Sequence, residues 1–166
     1  GSPQLMPRSP QPITMLPRLG TTAPTFSLPA DSGKAVTLGD FSGKKVVLYF
    51  YPKDATTGCT VEACGFRDTW SAVRRAGAVV LGVSPDGVAS HQKFRKKLDL
   101  PFPLLADTDH VVAERYGVWG EKSMYGRKYF GVLRTTFILD EKGRIVKVFE
   151  KVKAKGHAAQ VLEALS

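Results

Sequence analysis

"KKVVLYFYPKDATTGCTVEACGFRD", residues 44–68, decides the fold. Its run from Val46 to Tyr51 is apolar without interruption and is bounded by Gly43 and Pro52. That is the pattern of a central strand buried on both faces. Beyond the loop, Cys59, Ala63, Phe66, Trp70 and Val73 recur at offsets of 4, 7, 11 and 14. They form the apolar stripe of one helix ending near Gly77. "AVVLGVS" (78–84) reads as a second buried strand, so strand, helix and strand make a crossover unit with parallel pairing.

Upstream, "TFSLPADSGKAVTL" (25–38) reads as two short strands joined by a turn at Asp31–Gly33. Downstream, "SPDGVASHQKFRKKL" (84–98) gives a turn and a second helix, "PFPLL" (101–105) a short extended piece, and "DTDHVVAERYG" (107–117) a shorter helix starting near Asp107 or Asp109. "TTFILDEKGRIVKVFEKV" (135–152) is two strands around Asp140–Gly143, an antiparallel hairpin. "GHAAQVLEAL" (156–165) closes the chain with Val161 and Leu165 at helical spacing. This order is the thioredoxin-like α/β arrangement, with N-terminal strand additions and a helical insert before the hairpin.

The 166 residues, 43% of them hydrophobic, suit a single domain. It is read as residues 19–166, preceded by a disordered or cloning-derived tail over 1–18. That tail is rich in proline and has no acidic residue. It lacks the apolar block and cleavage-like site of a secretory signal, so a cytoplasmic location is expected, or an organelle if the tail is a transit remnant. No apolar run approaches the roughly 20 residues of a membrane span. The net charge of +9 is spread along the chain. The densest basic run, Lys93–Lys97, falls in a predicted helix without a nucleic-acid-binding motif, so a solvated face is expected and no nucleic-acid partner.

Cys59 and Cys64 are the only cysteines, too few for a disulfide scaffold. A zinc site needs about four ligands, and His91, His110 and His157 lie in separate segments, so no metal is expected. A helix N-terminus presents free N–H groups and partial positive charge, which favours thiolate over thiol in the first turn. A buried structural cysteine suits the stripe position of Cys59. It does not explain Gly58 before it, the hydroxyls of Thr56, Thr57 and Thr60 around it, or the second thiol. Five residues along an ideal helix advance about 7.5 Å and turn about 140°, leaving the Cα atoms about 8 to 9 Å apart. A disulfide needs about 7 Å or less, so the pair bonds only if the first turns unwind. Gly65 lowers the cost of that by about 1 kcal/mol relative to Ala, or else serves close packing.

The segment "YPKDATTGCTVEACGFRD" resembles the active-site segment of peroxiredoxins, with Pro52, Thr56 and Cys59 at the pattern's Pro, Thr and Cys. The second cysteine five residues on is similar to the peroxiredoxin Q, or bacterioferritin comigratory protein, subfamily. "VVLGVSPD", "FPLLAD", "YGVWGEKSMYG", "VLRTTFILDEKGRI" and "VKAKGH" extend the match over roughly Leu19 to Leu165. The resemblance implies a peroxidase for hydrogen peroxide and organic hydroperoxides that needs no cofactor. Cys59 would be peroxidatic and Cys64 resolving, through an intramolecular disulfide reduced by thioredoxin or a glutaredoxin-like dithiol. It further implies donors from the Thr56 hydroxyl, the Cys59 N–H and Arg134, shielding by Pro52, and a monomer. Arg134 taken alone reads as a strand-end surface residue, and Pro52 as a strand terminator. Glu62 is read as favouring the helix start, and Trp119, Met124, Tyr125 and Phe130 as packing. Thr57 stands where the subfamily has proline, which bears on loop opening and overoxidation. Rival readings are a disulfide reductase on the same fold and a redox sensor that signals through the same cysteine switch. A cysteine hydrolase fits poorly, because no histidine lies near the motif in sequence.

Overall fold

The computed structural model describes residues 15–166. The reading of 1–18 as a tail therefore falls mostly outside the described residues. Within them Leu16 packs against the core.

β3 (Lys45–Phe50) is the middle strand of a five-stranded sheet. It pairs in parallel with β4 (Ala78–Ser84), which pairs in parallel with β5 (Leu104–Ala106). On its other side lies β8 (Thr135–Leu139), antiparallel, followed by β9 (Ile145–Phe149) as the edge. Alternation along β3 serves both faces. Val47, Tyr49 and Tyr51 enter one core with α1 (Thr57–Asp68), α2 (Trp70–Arg75), α3 (Val88–Leu98) and α5 (His157–Leu165). Val46, Leu48 and Phe50 enter a second core with α4 (Val111–Arg115) and Leu28 of the β1 (Ser27–Pro29) and β2 (Ala35–Thr37) hairpin. The layers are helices, sheet, then the hairpin with α4, as the thioredoxin-like order requires.

Three local expectations are corrected. The stripe from Cys59 to Val73 belongs to two helices, because the backbone turns at Thr69 (φ −101°, ψ 7°), whose hydroxyl donates to the Gly65 carbonyl. Side-chain spacing survives such a break, so periodicity alone does not reveal it. α4 begins at Val111, later than Asp107 or Asp109. His110 takes a left-handed backbone, and the Asp107 carboxylate reaches forward to accept the Val112 and Ala113 N–H groups. Burial raises the Asp107 carboxyl pKa, while those two N–H groups oppose the shift.

The insert also holds more than a helix. β6 (Trp119–Met124) and β7 (Arg127–Val132) form a hairpin of their own. Its turn residues Tyr125 and Gly126 both have positive φ, the primed geometry that strand twist favours. Tyr125 is not a usual residue for that turn, and the strands carry charges where a buried strand would alternate. Met124, Tyr125 and Phe130 are exposed rather than packed, whereas Trp119 stacks on His110.

Close packing at the sheet centre favours glycine at position 82. A Cβ there would lie 2.9 Å from Leu104 Cδ2 and from the Tyr49 ring. Gly82→Ala is expected to cost about 1–3 kcal/mol through overpacking, seen as a Tm lowered by several degrees. An unchanged Tm would contradict this packing.

Candidate active site

The site is assembled where β3 hands the chain to α1. Tyr51 continues the strand by donating its N–H to Val83, and the half-buried Pro52 follows it. Thr56 is the N-cap residue of α1, in extended conformation. Its hydroxyl donates to the Lys53 carbonyl at 2.8 Å instead of capping the helix. That choice leaves N–H groups of the first turn free of a side-chain acceptor. Cys59 is the third residue of α1 and is 1% exposed.

Arg134, two residues beyond β7 and just before β8, reaches this turn. One guanidinium nitrogen donates to Cys59 Sγ at 3.2 Å, and the other donates to Glu62 Oε1 at 2.6 Å. Glu62 lies three residues after Cys59, on the same helical face. The fork of Arg134 thus spans sulfur and carboxylate at once, which a lysine point charge would not do. Gly58 makes room for it, since a Cβ there would lie 3.1 Å from Arg134 Nη2. Burial works against the guanidinium charge, but Glu62 and the Cys59 sulfur outweigh it and hold Arg134 above its ordinary pKa.

Glu62 is the residue that sequence reasoning undervalued. It is 1% exposed, and its Oε2 has no hydrogen-bond partner among the described residues. Burial pushes its carboxyl up to about 7, with Arg134 pulling the other way. The available signal was its spacing from Cys59, which a surface reading of glutamate obscures. Lys122 of the β6–β7 hairpin is also nearby. It donates to the Val132 carbonyl at 3.0 Å, and burial, then the charge of Arg134, lower its pKa.

Cys64 shares the helix but not the environment of Cys59. It is half-buried and lines a groove of about 500 Å³ between α1 and the start of α5, with Val61, Ala154 and Ala159. Both thiols are free. Gly65 beside Cys64 packs closely against α5, a Cβ there lying 3.1 Å from Ala158 Cβ. Close packing therefore accounts for this glycine, whatever ease of unwinding it adds. The histidines are engaged away from the sulfurs: His91 with Asp54, His110 with Glu114, and His157 with Thr136. Such a site lacks the thiol–imidazole pair of a cysteine hydrolase among the described residues. It offers instead a buried sulfur faced by a fixed cation.

Comparison with known proteins agrees with that chemistry. Residues 19–148 match the AhpC/TSA family. A putative peroxiredoxin bcp from Coxiella burnetii is 55% identical over 147 residues, covering 89% of this chain and 97% of that one. Peroxiredoxin Bcp from Bacillus subtilis is 48% identical, covering 89% and 94%. Among solved structures, the bacterioferritin comigratory protein of Xanthomonas campestris, described for alkyl peroxide reduction, superposes with a TM-score of 0.80 at 41% identity over 84% of this chain and 89% of that one. A cysteine-to-serine variant of Xylella fastidiosa PrxQ gives 0.84 at 36% identity, covering 89% and 94%.

Because the Glu62 pKa rises on folding, the folded state holds the proton more tightly and stability falls as pH rises from about 4.5 to about 7. Glu62→Gln removes that slope. The Tm of wild type minus that of the variant is expected to shift in the variant's favour between about pH 5 and about pH 8. A constant difference, or a shift the other way, would contradict the buried-carboxyl account. With the buried sulfur, the shared guanidinium and the family match together, the chain belongs to the AhpC/TSA family, within its Bcp-type peroxiredoxins.

Proposed function

We propose that Cys59 is the peroxidatic and Cys64 the resolving cysteine of this thiol-dependent peroxidase. The observation that carries the reading is the Arg134 N–H donated to a buried Cys59 Sγ at 3.2 Å. A cation fixed there in a poorly hydrated site favours negative sulfur and also stabilises charge developing on a departing oxygen.

The Cys59 thiolate attacks the terminal oxygen of a hydroperoxide. The S–O bond forms as O–O breaks, the hydroxyl stays on sulfur as sulfenic acid, and the alkoxide or hydroxide leaves and takes a proton. Thr56 supports the substrate's orientation. The resemblance implied a donor at this position; with the Thr56 hydroxyl hydrogen committed to the Lys53 carbonyl, its oxygen instead accepts from the peroxide hydroxyl. Pro52 offers no N–H and limits water at the turn. Cys64 then attacks the Cys59 sulfur, S–S forms, and the hydroxyl leaves as water with the Cys64 proton.

An external dithiol such as thioredoxin or a glutaredoxin-like protein returns two electrons and two protons. A reducing compartment such as the cytoplasm keeps that donor available. The substrates are hydrogen peroxide and organic hydroperoxides. Since both thiols belong to one helix, no second subunit is required, and the working form is a monomer whose domain of residues 19–166 carries Leu16 packed against its core. The pairing is the one the subfamily resemblance implies, and Cys59 and Cys64 are the chain's two cysteines; the two cysteines changed to serine in separate Xanthomonas campestris structures stand much farther apart in their chain.

Cys59→Ser should abolish peroxide consumption, and appreciable turnover in it would sink the assignment. Cys64→Ser should consume one equivalent and stop at sulfenic acid, whereas sustained dithiol-driven turnover would remove Cys64 from the cycle. Arg134→Gln should slow the first step by about 10²–10³-fold, as loss of a charge-stabilising donor does. A normal rate of sulfenic acid formation would remove Arg134 from the site.

A further inference from the structure

The loop that delivers Cys59 is held by a buried polar network that the proposed cycle does not use. Tyr51 donates its phenol hydrogen to Asp54 Oδ1 at 2.6 Å, and Ser90 of α3 donates to Asp54 Oδ2 at 2.8 Å. His91, 0% exposed, lies on the same helix. Its Nδ1 is 2.7 Å from Asp54 Oδ2 and its Nε2 is 2.9 Å from the Leu105 carbonyl of β5. The backbone of Asp54 is held as well, its N–H donating to Asp86 Oδ2 at 2.8 Å, which also accepts from Ser84 at 2.7 Å.

Partner chemistry sets the roles of the His91 nitrogens. A carbonyl only accepts, so Nε2 carries a hydrogen and donates to Leu105. Asp54 acts as an acceptor toward Tyr51 and Ser90, and in the same role it accepts from Nδ1 at Oδ2. His91 therefore ties the loop to α3 and β5 together. What it holds is strained: Ala55, the next residue, has φ +63°, a left-handed conformation that a Cβ disfavours. That turn sends the chain into Thr56, the N-cap of the helix carrying Cys59. Strain of this kind persists where the surroundings over-determine it.

We propose that His91 is a positioning residue for the reaction with peroxide. Through Asp54 it holds the Pro52–Thr56 loop in the strained shape that sets Thr56 and Cys59, and it keeps the loop docked when the first turns of α1 unwind. The inference rests on the peroxidase reading and adds to it a residue remote from the reacting atoms.

Two variants separate positioning from bulk stability. In His91→Asn an amide N–H takes the place of Nδ1 and still donates to Asp54, but the bond to Leu105 is lost. In His91→Gln the amide takes the place of Nε2, and Asp54 loses its His91 partner while keeping Tyr51 and Ser90. Both shrink the same buried side chain and should lower Tm comparably. The rate of Cys59 oxidation by hydrogen peroxide should fall about 10-fold or more in His91→Gln and stay within about 3-fold of wild type in His91→Asn, as loss of positioning requires. Equal rates in the two variants, both fast or both slow, overturn the inference while wild type still reacts. A wild type that does not react removes the peroxidase reading and this inference with it. If neither variant folds, Ser90→Ala, which removes one donor to Asp54, should slow the same step by about 5-fold or more, and a rate within about 3-fold of wild type overturns the inference.

Discussion

The guanidinium of Arg134 grips a sulfur and a buried carboxylate with two of its nitrogens, and much of the local architecture serves that grip. Gly58 favours it, because a Cβ there would crowd Nη2 at 3.1 Å. The grip requires Glu62 one helical turn past Cys59, buried against its own solvation preference. It also requires the strand order, since β8 must lie beside β3 for the residue preceding it to reach the helix that follows β3. A cation paired with one carboxylate alone would spend its charge there. Shared with sulfur, it keeps a donor directed at the thiol.

Against that fixed point stands a helix that a Cys59–Cys64 disulfide cannot leave intact. The two thiols occupy different surroundings, one in the core beneath the sheet and one on a groove beside α5. Helical geometry keeps them too far apart to bond. In the proposed cycle the peroxide-reactive shape and the disulfide shape therefore compete for the same first turns of α1. The loop before those turns is fastened independently, through Asp54 to α3 and β5. In the proposed cycle that fastening confines the change in shape to the segment between Thr56 and Gly65.

Much of this was legible in the sequence, for physical reasons. Uninterrupted apolar runs at Val46–Tyr51 and Ala78–Val83 mark strands covered on both sides, and both lie at the heart of the sheet. The stripe through Cys59, Ala63 and Phe66 put the cysteine at a helix start facing the core, where it lies. What stayed hidden depends on contacts across the fold. Glu62 read only as an acid favouring the helix start, because its partner stands 72 residues away. Asp54 and His91 meet only because β4 carries the chain back alongside the loop. The β6–β7 hairpin was invisible to patterning, since its strands face solvent and its turn places tyrosine where a smaller residue is usual.

The most direct test compares backbone amide hydrogen exchange of the fully reduced protein with that of protein treated with one equivalent of hydrogen peroxide, alongside intact mass. The account predicts a product lighter by two hydrogens, with protection lost in the first turns of α1 and retained in β3, β4 and α3. A Cys59–Cys64 disulfide formed with the α1 amides still protected would contradict it, as would peroxide uptake that forms no disulfide.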